Sequence, residues 1–155
     1  MLVKLDNSPY HYECYKELLS EFGDTSHYTY AEHQNYVYRS ENWYGKTVYL
    51  LIKNETVVGT CCIILDYKIF HDAFAIHLED VVIHKDSRGK GLGQEMVREV
   101  IEKIKEYGNC YKIILDCNES NVEFYTAVGF SRHEVEMRLD LSVKKDYDIE
   151  VSTTG

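Results

Sequence analysis

Apolar positions near the start of the chain recur at helical spacing: Cys14, Tyr15, Leu18, Leu19 and Phe22. Ser8-Pro9 precedes them as an N-cap and a proline at the first helical position, and Gly23 predicts the stop. Thr29-Tyr30-Ala31-Glu32 has the spacing of a capping box, so a second helix starts there and ends before Gly45. The period then shortens to two. Residues 47–52 and 56–65 read as strands joined by a turn at Lys53-Asn54-Glu55, and residues 74–83 as a third strand. Met96, Val97, Val100, Ile101 and Ile104 mark one face of a helix that Gly108 terminates. Residues 111–116 form a strand, 120–128 a short helix closed by Gly129, and 133–141 a final strand. This order predicts an α+β domain in which an antiparallel meander is followed by βαβ crossovers, giving a mixed central sheet flanked by helices. The expected domain covers 1–143. Periodicity is lost over 144–155, which reads as a mobile tail.

The chain has 155 residues and is 45% apolar, which suits one domain with one core. The net charge of −9 argues against general nucleic-acid binding, which needs a basic face. No stretch approaches the length of a membrane helix, and the first residues lack a secretory apolar run. The five cysteines are odd in number and sit in apolar stretches, so they read as reduced core thiols of an intracellular protein, placed in the cytoplasm. No metal-ligand spacing is found; His71, His77 and His84 read as structural or surface residues. The 14 tyrosines read as compositional bias.

One run carries chemistry. Arg88-Gly89-Lys90-Gly91-Leu92-Gly93 leads from a strand directly into a helix. Glycines let backbone approach an anion closely, and the first N–H groups of a helix have no internal partner. Arg88 and Lys90 add charge, so the loop reads as a pyrophosphate cradle. It is not a Walker loop, because Gly89-Lys90 is followed by Gly91 rather than Ser or Thr. It follows the third strand of a meander, which is also wrong for a dinucleotide fingerprint.

The Arg-Gly-x-Gly-x-Gly pattern at this position resembles the pyrophosphate loop of the GNAT N-acetyltransferases, which bind acetyl-CoA. His77-Leu78-Glu79-Asp80-Val81-Val82, Tyr111-Lys112-Ile113-Ile114-Leu115-Asp116-Cys117, Asn121-Val122-Glu123-Phe124-Tyr125 and Gly129-Phe130 extend the likeness to the eukaryotic glucosamine-6-phosphate N-acetyltransferase family. The resemblance runs from about Phe70 to Met137. It implies the GNAT acyl-CoA N-acyltransferase fold and acetyl transfer from acetyl-CoA to glucosamine 6-phosphate in a ternary complex, with no metal.

The resemblance also implies roles. Backbone N–H of Val81 or Val82 would meet the thioester carbonyl at a bulge, and residues 88–93 the pyrophosphate. Asn121 would touch the pantetheine arm and Tyr125 would protonate the leaving thiolate. Glu79 and Asp80 would hold the sugar amine and hydroxyls, and Asp116 would orient or deprotonate the amine. Tyr111 and Lys112 would reach the sugar phosphate from the other subunit of a homodimer. Phe124 is the better core candidate on the short helix. One position departs from the family: Asp140 stands where an arginine contacts the phosphate, and Arg138, two residues earlier, is the substitute. Two other readings stay open at this point: acetylation of a different amine, such as a nucleotide-linked amino sugar or a polyamine, or a non-catalytic acetyl-CoA-binding module.

Overall fold

The computed structural model describes residues 1–141. Residues 142–143 of the expected domain and the expected tail, 144–155, lie outside the described residues. Five strands, β1 (Leu2–Lys4), β2 (Lys46–Lys53), β3 (Thr56–Lys68), β4 (Ala73–Ile83) and β5 (Cys110–Ile114), form one sheet in sequence order. The first four are antiparallel and β5 runs parallel to β4. The helices are α1 (Pro9–Leu19), α2 (Tyr30–Asn42), α3 (Leu92–Glu106) and α4 (Val122–Thr126). The expected mixed sheet is present, with one parallel crossover, β4–α3–β5, among the described residues in place of the expected succession of crossovers.

Local signals explain the element ends. Ser8 caps α1 by accepting from His11 N–H, with Pro9 in the first turn. Helix α1 stops at Leu19, short of Gly23, and leaves Phe22 exposed. The capping box of α2 is complete: Thr29 Oγ1 accepts from Glu32 N–H at 3.3 Å and Glu32 Oε2 from Thr29 N–H at 2.7 Å. Asn54 and Glu55 both adopt positive φ, closing a tight hairpin between β2 and β3.

The sheet is buried on both faces, which is why β2 reads as a nearly unbroken apolar run. Tyr49, Leu51, Ile63, Ile76 and Leu78 pack against Met96, Val97, Val100 and Ile104 of α3. Val48, Leu50, Cys62 and Val82 pack on the other face, against Tyr15 and Leu18 of α1 and Val37 of α2. Tyrosines earn a structural role here. Tyr12, Tyr28 and Tyr30 surround the fully buried His33 at ring-centroid separations of 5.6–6.2 Å, and Tyr15 links Tyr28 to Tyr36 at 6.1 and 6.2 Å. His33 Nε2 lies 2.8 Å from the Asp6 carbonyl, so it donates there, and Nδ1 accepts from the Tyr28 hydroxyl at 2.9 Å.

Three expectations are corrected. A short strand, β1, precedes the helices; three residues are too few for a periodic signal. The final strand over 133–141 does not form: these described residues have no paired neighbour, and Val135, Met137, Leu139 and Leu141 are 79–89% exposed. Alternation gives strand propensity, but only an adjacent edge supplies the ladder. Among the cysteines, Cys61 and Cys62 are buried, Cys14 and Cys110 half-buried, and Cys117 is exposed rather than a core thiol.

Candidate active site

The site is built at a bulge in β4. Cys62 of β3 pairs with Glu79 and Thr60 with Val82, so Asp80 and Val81 together oppose the single Cys61. Asp80 accommodates the extra residue with φ 51°. Leu78 and Val81 pack on the α3 face, whereas Val82 packs on the α1–α2 face. The bulge therefore puts two sequence neighbours, Glu79 and Asp80, on the same α1–α2 face, which a regular strand forbids. Asp80 Oδ2 is met there by Lys46 Nζ at 3.2 Å and by Cys62 Sγ at 3.7 Å. Burial, followed by the adjacent Asp80 charge, raises the pKa of the half-buried Glu79; Asp116 adds to the rise and His77 and Lys46 oppose it. Burial pushes the Cys62 thiol up to about 12, so it stays protonated.

Strands β4 and β5 separate at this point. Their ladder ends at His77 opposite Ile114, while β4 continues to Ile83. Glu79 to Val82 thus line one wall of a gap, and Leu115, Asp116 and Cys117 leave from the other. Asp116 lies two residues beyond β5 and is exposed. It caps no helix, since Asn118 and Asn121 hold the cap positions that follow.

At the end of β4 lies the glycine loop. Gly91 is the N-cap of α3 in the left-handed region, φ 75°, and offers no side-chain acceptor to the first turn. Gly93 sits so close to Phe124 that a Cβ would stand 3.0 Å from its ring. A cavity of about 330 Å³ opens over this turn, lined by Ser87, Gly89, Gly91, Gly93, Gln94 and Phe124 among others. Unpaired helix N–H groups at the floor of such a cavity suit an anion. The loop cations turn aside: Arg88 donates to the Ile83 carbonyl and pairs with Glu21 at 2.8 Å, and Lys90 donates to the Asp86 carbonyl. Arg88 still borders the cavity, and Lys90 does not.

Asn121 is the N-cap of α4, and Tyr125, four residues on, is half-buried against the α3-side core with Phe124 and Phe130. Burial, then Cys117 and Cys61, push the Tyr125 hydroxyl up to about 12, so it holds its proton at neutral pH. Phe124 is equally half-buried and floors the loop cavity.

The structure brings together Glu79, Asp80, Val81 and Val82 with the gap, and Arg88, Gly89, Gly91, Leu92 and Gly93 with the α3 N-terminus. Other expected residues stand apart. Tyr111 stacks on His71 at 4.1 Å, and Lys112 Nζ lies 5.5 Å from the Tyr111 ring. Arg138 pairs with Asp140 at 2.6 Å on the exposed 133–141 segment. Sequence reading missed Lys46, Ser87 and Gln94. Gln94 was reachable as a first-turn residue after Gly93; nothing in the sequence pairs Lys46 with Asp80 across two strands. Among the described residues no cluster of His, Cys, Asp or Glu can hold a metal, and no helix is long and apolar enough to cross a membrane.

A strand bulge facing a splayed parallel neighbour, with a glycine-capped helix at the strand's end, is an arrangement that known families can be tested against. Residues 11–130 match the acetyltransferase (GNAT) family, and the chain belongs to that family. Among relatives, glucosamine 6-phosphate N-acetyltransferase of Trypanosoma brucei brucei is 40% identical over 86 residues, 55% of this chain and 58% of that protein. The Schizosaccharomyces pombe enzyme of the same name is 35% identical over 61% of this chain and 89% of its own length, and the Arabidopsis thaliana enzyme 31% identical over 78% and 83%. The crystal structure of the Arabidopsis enzyme superposes with a TM-score of 0.82 at 25% identity, covering 92% of this chain and 98% of that one. A Trypanosoma brucei acetyltransferase structure gives 0.80 at 29% identity over 91% and 99%.

Proposed function

We propose that this chain transfers the acetyl group of acetyl-CoA to the amine of D-glucosamine 6-phosphate, giving N-acetyl-D-glucosamine 6-phosphate and CoA. The observation that carries this reading is the bulge that sets Glu79 and Asp80 beside the β4–β5 gap, near the end of the strand that leads through the glycine loop into the glycine-capped α3. The names of the relatives supply the acceptor.

Acetyl-CoA brings an activated thioester. The backbone amides of residues 88–93 hold its pyrophosphate, with Arg88 at the cavity rim, and Asn121 holds its arm. The N–H of Val81 or Val82 hydrogen-bonds the carbonyl oxygen as it gains charge. Glu79 and Asp80 orient the sugar amine, and Asp116, across the gap, orients it or takes its proton. Tyr125, whose hydroxyl holds its proton at neutral pH, gives a proton to the departing sulfur. Lys112 of a second subunit, beside Tyr111, and Arg138 meet the phosphate.

The protein works as a homodimer in the cytoplasm. The outer edge of β5 has no neighbour among the described residues, and the 133–141 segment presents alternating apolar side chains with no strand beside it. Ile69 and Phe70, at the β3–β4 turn, are 83% and 102% exposed. A second copy would cover these surfaces together.

The test is release of free CoA thiol with glucosamine 6-phosphate against free glucosamine. Fast release with the phosphate and slow release with the free sugar is the expected result. Equal rates would move the acceptor to another amine, and no release with any amine would leave an acetyl-CoA-binding module.

A further inference from the structure

Two adjacent carboxylates on one face of a strand repel each other unless a cation stands by. Lys46, the first residue of β2, is that cation. Its ammonium reaches Asp80 Oδ2 at 3.2 Å, and its side chain is only 19% exposed. The ammonium also stands over the Tyr36 ring, 5.8 Å from its centroid. The Cys62 thiol donates to the same oxygen, so Asp80 is held from two strands while its own backbone sits in the left-handed region. Glu79, one residue before, has no such partner among the described residues. Burial works against the Lys46 charge, but Cys62, Tyr36 and Asp80 outweigh it and hold its pKa above the usual lysine value.

We propose that Lys46 is a positioning and specificity-determining residue: it clamps and neutralises Asp80, leaving Glu79 as the one uncompensated carboxylate of the bulge on the acceptor side. The proposal rests on the reading of this bulge as the acceptor side of an acetyl-transfer site. The consequence is a choice among amines. One uncompensated carboxylate suits a monocation, and tolerates an acceptor that also carries an anionic group. Two would favour a dication such as a short diamine and repel a phosphate-bearing sugar.

Lys46→Met keeps an unbranched side chain of similar length and removes the charge; Lys46→Arg restores it. Steady-state kinetics with glucosamine 6-phosphate and with putrescine, and calorimetry with acetyl-CoA, read the effect. In Lys46→Met, kcat/KM for the phosphosugar falls about tenfold, the effect of one unit charge acting across a partly buried site. The same constant for the diamine rises, acetyl-CoA affinity stays put, and Lys46→Arg returns both acceptors towards wild type. An unchanged ratio between the two acceptors in a folded Lys46→Met, or a loss that Lys46→Arg does not recover, overturns the proposal. If the wild type binds acetyl-CoA yet acetylates neither amine, the acceptor reading falls instead. Amide hydrogen exchange at Asp80, Val81 and Val82 then decides the clamp: faster exchange in Lys46→Met supports it and unchanged exchange overturns it.

Discussion

Removing one oxygen atom separates the chemistry of Tyr125 from its packing. The ring is half-buried between Phe124 and Phe130, at 4.8 and 5.9 Å between centroids, and Tyr125→Phe leaves those contacts in place. The hydroxyl has no hydrogen-bond partner among the described residues, and neighbouring thiols and burial alone account for its raised pKa. Loss of the hydroxyl therefore strands no partner, and the melting temperature should not fall. As a general acid the same hydroxyl is worth about 10²–10⁴-fold in rate, or about 3–5 kcal/mol of barrier. Single-turnover acetyl transfer under saturating acetyl-CoA isolates that step. The acetyl-CoA dissociation constant should stay near wild type. The sign of the pH dependence also follows. An acid must be protonated to act, so Tyr125 ceases to serve only as pH rises through about 12, and the wild type should show no alkaline loss from this residue below that point. A wild-type single-turnover rate from folded Tyr125→Phe would refute the assignment; a lower melting temperature with the same rate would show that the hydroxyl packs rather than reacts.

Three further outcomes follow. Gly91→Val puts a branched side chain at φ 75° where no protein atom lies within 4 Å, so it costs about 1–2 kcal/mol of backbone strain and blocks the cradle; acetyl-CoA binding by calorimetry should vanish while the fold persists. Arg138→Ala should raise KM for the phosphosugar about 10- to 150-fold, the loss of one charge-assisted hydrogen bond, and Asp140→Asn should lower it by freeing Arg138. Constants unchanged in both variants would assign the phosphate to other cations. Light scattering should give a dimer, and Met137→Asp with Leu139→Asp should weaken it; a fully active wild-type monomer would remove the second subunit from the site.

Much of this protein is written in short-range pattern. Caps at Ser8 and Thr29, the turn at Asn54 and Glu55, and the apolar stripe of α3 are local signals that the fold keeps, because each is satisfied within a few residues. The glycine loop was legible for the same reason: strand, glycines and helix are contiguous. What pairs across strands was not. The alternation over 133–141 is as strand-like as the apolar run of β2, yet only β2 lies between neighbours that complete its ladder. The bulge at Asp80 depends on the register of β3 against β4, and no residue of β4 alone specifies it. From that register follow the shared face of Glu79 and Asp80 and the reach of Lys46 across 34 residues to meet Asp80. The tertiary structure also turned Arg88 toward Glu21 and Arg138 toward Asp140, so that both cations already have an acidic partner. Charges in a sequence mark what can attract; only their neighbours in space decide what is already neutralised.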